Sequence, residues 1–198
     1  MRRLIEILAI RIFVAFFVTC SIYSALSYTI LIEGLKSRVY IPIAKAGFAV
    51  LTAGMVLFVL DSFVDIPDVY VVLSPAGAVI TAFSFRTKIT RELIAQISAI
   101  VLISVVGSVL GVQYAFPCAI YSASIVYIFS LVRARMLIRD AAIYTYLYAG
   151  SYLMTVYPLL FIVSSKVSGF SYFESLVHLT AAVLLFYSST VLKAHVGW

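Results

Sequence analysis

Long uncharged runs separated by short charged ones dominate the chain. Ile12 to Ile32 carries no charge, nor do Ala46 to Leu60, Val69 to Phe85, Leu93 to Val132, Ala141 to Ser165 and Ser175 to Leu192. A membrane-crossing helix needs roughly 20 mostly apolar residues, because each residue rises about 1.5 Å through a hydrocarbon layer about 30 Å thick. The first run meets that length alone. The second meets it if Tyr40 to Lys45 joins it, with Lys45 reaching back to the interface. The third is near the lower limit. Leu93 to Val132 is 40 residues, which is two helices, and the break falls at Gly111-Val-Gln-Tyr-Ala-Phe-Pro117, where a glycine, a glutamine and a proline coincide. The pattern predicts an all-α, polytopic transmembrane bundle of about seven helices. None of the runs shows the alternation of lipid-facing barrel strands.

Composition removes the soluble alternatives. Of 198 residues, 64% are hydrophobic and 11% charged, with a mean hydropathy of +1.15. A soluble domain carries about 25% charged residues, and disorder needs still more charge and less hydrophobicity. The two cysteines, Cys20 and Cys118, make no disulfide framework and fit as small apolar fillers. The net charge of +6 comes from basic clusters between apolar runs. That is the pattern of loops retained on the cytoplasmic side rather than of a nucleic-acid surface.

If all seven runs span, ten of the 14 Lys and Arg fall on one side, which puts the C-terminus in the cytoplasm. Those ten include the loop of Arg86, Lys88 and Arg91 and the loop of Arg133, Arg135 and Arg139. Arg2, Arg3, Arg11 and Lys166 share the other side with Asp61, Asp65 and Asp68. Arginines at the start of the first helix ordinarily stay in the cytoplasm, so residues 1–38 are expected as an added, retained helix beside a six-helix unit at 39–198. The whole chain is expected to be one integral domain of a cell membrane.

Candidate chemistry is sparse. Haem ligation needs histidines within helices, and His178 and His195 sit at or beyond the ends of the last run. No run holds a mid-helix lysine, and no zinc, nucleophile-elbow or phosphate-loop motif occurs. No cofactor, metal or enzymatic activity is expected. Asp61, Asp65 and Asp68 stand at i, i+4, i+7; they form a carboxylate face if the helix continues, or a hydrated acidic loop if Pro67 stops it. Glu174 and His178, at i, i+4, make either a titratable pair or a helix-end carboxylate with a hydrogen-bonded imidazole. Tyr144, Tyr148 and Tyr152 form a phenol stripe that is expected to face the protein or a wet cavity. The stripe fits interhelical hydrogen bonding and an interfacial aromatic belt as well. Gly107 and Gly111, a Gly-x-x-x-Gly, predict close helix packing within the chain or in an oligomer.

From Lys45 to Leu192 the order of features resembles the six-helix unit of the fusaric-acid-resistance and aromatic-acid exporter group. The likeness runs through Lys45, the outer segment Asp65-Ile-Pro-Asp-Val-Tyr70, the helix from Leu73-Ser-Pro-Ala-Gly-Ala-Val-Ile80 and the segment Arg91-Glu-Leu-Ile-Ala-Gln-Ile97 that leads to Gly107 and Gly111. Where that family often has an arginine entering the last helix, this chain has His178. The resemblance implies proton-driven export of small organic anions by paired six-helix units. Two functions are carried forward. One is a transporter-like protein for a small organic solute, aromatic ones included, with Arg91 at the inner mouth, Tyr144, Tyr148 and Tyr152 along the path, and Glu174 with His178 as outer gate. The other is a non-catalytic scaffold or accessory subunit. The expected partners are the lipid bilayer and other membrane chains, as a homo-oligomer or a larger complex.

Overall fold

The computed structural model describes residues 2–33, 41–64, 68–85, 91–136, 140–167 and 169–196. Asp65, Pro67, Lys36, Arg38, Arg86, Lys88 and Arg139, which entered the orientation and acidic-face arguments, lie outside them. Seven helices and no strand occur among the described residues: α1 Arg2–Glu33, α2 Ile41–Leu60, α3 Val69–Phe83, α4 Arg91–Val109, α5 Ala115–Ala134, α6 Ala141–Ser164 and α7 Ser171–Val196. All but α3 are long and apolar enough to cross a membrane. At 15 residues, α3 reaches about 22 Å, short of a bilayer core.

Consecutive helices run in opposite directions and give the bundle two chemically distinct ends. At the acidic end Arg11 meets Asp61 at 3.2 Å, the Tyr114 hydroxyl donates to Asp68, and Ser164 meets Glu174 at 3.4 Å. At the basic end lie Arg91, Arg133, Arg135 and Lys193, and there the Tyr28 hydroxyl donates to the Arg135 carbonyl at 3.4 Å.

The six helices that close on one another are not the last six in the chain. Packing runs α1 to α2, α2 to α3, α3 to α5, α5 to α6, α6 to α7 and α7 back to α1. The first helix, expected beside a six-helix unit, is a member of this ring, with Ile22, Ala25, Tyr28 and Thr29 fully buried. It is α4 that stands outside. α4 buries Ile103 and Gly107, and Ile103 joins a small cluster with Val112, Ala115, Ala119 and Ile162. α4 is apolar all round, so its sequence prescribes no inward face, and lipid accepts the remainder.

Close approach of α2 and α3 rests on glycines that sequence reading left unmarked. A Cβ at Gly77 would strike the backbone of Leu51, one at Gly47 the backbone of Thr81, and one at Gly54 that of Ser74. The expected Gly107–Gly111 seam is half corrected. Gly107 does pack, against Ala115. Gly111 does not: it has φ +65° and open space beside it. Its N–H donates to Ser108 at 3.1 Å and that of Val112 to Gly107 at 2.8 Å. This is the Schellman pattern that ends a helix on a left-handed glycine. Pro117, in the first turn of α5, lacks only an N–H that would have had no helical partner.

Candidate functional site

The ring encloses a lumen, and its two halves differ. Towards the basic end α5 leans inward and fills it with Ile125, Ile128, Phe129 and Val132, packed in the same core as Ile22, Tyr28, Phe85, Leu185 and Leu192. Towards the acidic end a cavity of about 210 Å³ remains. All six ring helices contribute to it and α4 does not: Arg11 from α1, Phe58 from α2, Tyr70 and Ser74 from α3, Cys118 and Tyr121 from α5, Tyr157 and Phe161 from α6, Glu174 and His178 from α7. Tyr114, just before α5, stands with them.

Arg11 is the cation inside the apolar span of α1, Ile5–Ile32, and an intramembrane cation needs a counter-charge. Its Nη1 donates to Asp61 Oδ2 at 3.2 Å and to Ser62 Oγ at 3.0 Å, and the guanidinium lies 4.9 Å from the centre of the Phe58 ring. Glu174 sits in the first turn of α7, where the helix dipole favours a carboxylate. Ser164 donates to it at 3.4 Å, and the Tyr157 hydroxyl is within hydrogen-bonding reach. One turn further, His178 is 6% exposed. Its ring is 4.2 Å from Tyr157, centre to centre, and its Nε2 is 3.3 Å from the Tyr121 hydroxyl. The two phenols hold the imidazole edge and face, so α5, α6 and α7 converge on one polar cluster.

At the rim, Tyr114 bonds to Asp68. Its ionisation is held above the ordinary phenol range, first by that hydrogen bond, then by desolvation and by the cost of a phenolate beside a carboxylate. In the folded protein the bond is therefore present at neutral pH and breaks on alkalinisation, later than for a free phenol. Ultraviolet titration should show Tyr114 among the last accessible tyrosines to ionise. Asp68→Asn should bring its ionisation down towards the ordinary range; an unchanged titration would dissociate the two residues.

Of the sequence candidates, Glu174 and His178 line the cavity. Arg91 begins α4 at the opposite end of the bundle, exposed. Tyr144, Tyr148 and Tyr152 correct the expectation of an inward phenol face, being 47%, 53% and 65% exposed on the outside of α6. The inward stripe of α6 is Ile143, Leu147, Gly150, Met154, Pro158 and Ile162, and the tyrosines stand about 100° away from it. Tyr148 instead packs beneath Arg133 at 4.8 Å, as interfacial aromatics do. Tyr157 follows Tyr152 by five residues, a turn of about 140°, and that rotation carries it inside. Asp61 and Asp68 point to different partners, Arg11 and Tyr114, and share no face.

Sequence reasoning missed Arg11, Tyr121 and Tyr157 as site residues. Arg11 was findable, since counting the first run from Ile12 hid a cation that continues the same helix. Nothing local marks Tyr121, which is one phenol among 14.

Fold and site together define a class: an all-helical, multi-pass membrane protein with a cavity at one end of its bundle and close apolar packing at the other. The chain matches no family model, no curated protein and no solved structure.

Proposed function

We propose that this is a transporter-like membrane protein that takes a small organic solute into the cavity and exports it. The observation that carries the proposal is the lumen itself, formed by all six ring helices, holding Arg11, Glu174 and His178 in its acidic half and closed by apolar side chains in its basic half. A passage that must open to one side at a time needs that asymmetry, whereas a scaffold gains nothing from holding Arg11, Glu174 and His178 around empty volume. Ligand sites for drug-sized molecules are about 300–1,000 Å³, so about 210 Å³ suits a solute of one ring. The excess of Lys and Arg near the basic end puts that end, and the C-terminus, in the cytoplasm. The cavity then faces outward: the solute enters from the cytoplasm when the Ile128–Phe129 plug opens in the alternative state, and leaves through the open acidic end.

Cys118, in the cavity wall, is a built-in reporter. In a Cys20→Ser background, a membrane-impermeant thiosulfonate should modify Cys118 from the acidic side in intact cells and from the basic side in inverted vesicles. Reaction from the acidic side alone would mean a pocket without a passage, and would end the transporter proposal.

A further inference from the structure

We infer that the solute is an organic monocation, with Glu174 as its counter-charge and aromatic rings as its walls; this rests on the cavity being the solute site. The charges facing the cavity are Arg11 and Glu174, with His178 counted neutral. They are not equivalent. Arg11 is already neutralised by Asp61, donates to Ser62 and lies on Phe58. An incoming carboxylate would have to displace Asp61 to use it. Among the described residues Glu174 makes no ion pair; its hydrogen bonds come from the hydroxyls of Ser164 and Tyr157. Hydroxyls orient a carboxylate without neutralising it, and Arg11 acts on it only from beyond ion-pair distance, its guanidinium being held by Asp61. With Asp61 cancelling Arg11, the cavity holds one unbalanced negative charge.

The walls agree with that sign. Phe58, Tyr70, Tyr114, Tyr121, Tyr157 and Phe161 all line the cavity. Aromatic faces are negative, and they attract ammonium groups most strongly where water is excluded. Asp68, bonded to Tyr114 at the same end, adds a negative charge at the mouth. Such a site selects against the organic anions that the resemblance to aromatic-acid exporters implies. A carboxylate would meet Glu174 without a free cation to hold it.

The test uses the Cys20→Ser chain in proteoliposomes, with protection of Cys118 from the thiosulfonate and the shift in melting temperature as readouts. The probes are benzyltrimethylammonium, phenylacetate and benzyl alcohol, which share a ring and differ in charge. Benzyltrimethylammonium should protect; phenylacetate should not, and benzyl alcohol should protect only weakly. Glu174→Gln should lower the cation's apparent affinity about a hundredfold, the scale for losing one partner of a buried charge pair. Glu174→Asp should retain most of it. Arg11→Gln should act in the opposite direction, strengthening the cation several-fold, because Asp61 is then uncompensated. If Glu174→Gln does not fold, the wild-type preference and the Arg11→Gln shift still decide.

Preferential protection by phenylacetate, or its loss in Arg11→Gln, would overturn the cation assignment while leaving two-sided access to Cys118 untouched. Equal cation binding in wild type and Glu174→Gln would overturn it as well. One-sided access with cation protection intact would instead remove transport and keep the binding site.

Discussion

A chain lacking residues 2–33 should not form the remaining bundle. It should aggregate in detergent or melt without a cooperative transition, and its Cys118 should react at once from either side. Ring closure passes through α1, which packs on α7, α2 and α5. Its Ile22, Ala25, Tyr28 and Thr29 are completely buried, so removal opens a gap a whole helix wide. The gap costs more than lost packing. Asp61 loses Arg11, and a carboxylate at the edge of the lumen loses its only cation within ion-pair distance among the described residues. Leaving one member of a buried pair alone costs about 3–5 kcal/mol, less here because the two side chains keep 30% and 20% of their surface exposed. Co-expression of α1 as a separate segment should restore the fold, since helices in lipid associate after insertion. A truncated chain with a cooperative transition and the full chain's Cys118 reactivity would make α1 an appendage after all.

The second large effect is expected at one methyl group. Gly77→Ala places a Cβ against the backbone N and Cα of Leu51, with the Gly47 carbonyl 2.8 Å away. Backbone cannot rotate aside as a side chain does, so α2 and α3 must separate along their length. Overpacking of this kind costs about 3 kcal/mol, or about 6–12 °C in melting temperature for a chain of this size. The control is Gly150→Ala, where the nearest atoms are the Cγ and Cδ2 of Leu185, at 2.9 and 3.0 Å, and the Ala181 carbonyl oxygen stands further off at 3.2 Å. There the side chain can shift, and the roughly 1 kcal/mol gained in helix propensity offsets the crowding. Gly150→Ala should therefore melt near wild type. If Gly77→Ala proved as stable as Gly150→Ala, the two helices would be further apart than described here.

Much of this architecture is legible in the chain. Lengths of uncharged sequence mark out seven helices because lipid offers no water to a charged or unpaired group. Gly111 and Pro117 mark the turn between α4 and α5 because a left-handed residue and a missing N–H are tolerated there and not in mid-helix. Glu174 and His178 stand out because ionisable groups are rare in such a chain. What stays hidden is direction around each helix axis. In a soluble helix the polar face points to water and reveals the buried one. Here both faces are apolar, and Tyr144, Tyr148 and Tyr152 looked inward only because phenols were expected to avoid lipid. One of them, Tyr148, meets that need with Arg133 near the basic end.

The sequence alone determined that the protein is a helical membrane bundle, how many helices it has and where the turn between α4 and α5 falls, and that its cations gather near one end. These follow from the cost of exposing charge and backbone to hydrocarbon, which acts on each segment separately. Tertiary structure decided which helices close the ring, that α1 belongs to it and α4 does not, and that Arg11, Tyr121, Tyr157, Glu174 and His178 meet around one cavity. Those choices depend on small residues such as Gly47, Gly54 and Gly77 letting particular backbones touch. Contact of that kind belongs to pairs of helices, and no single stretch of chain records it.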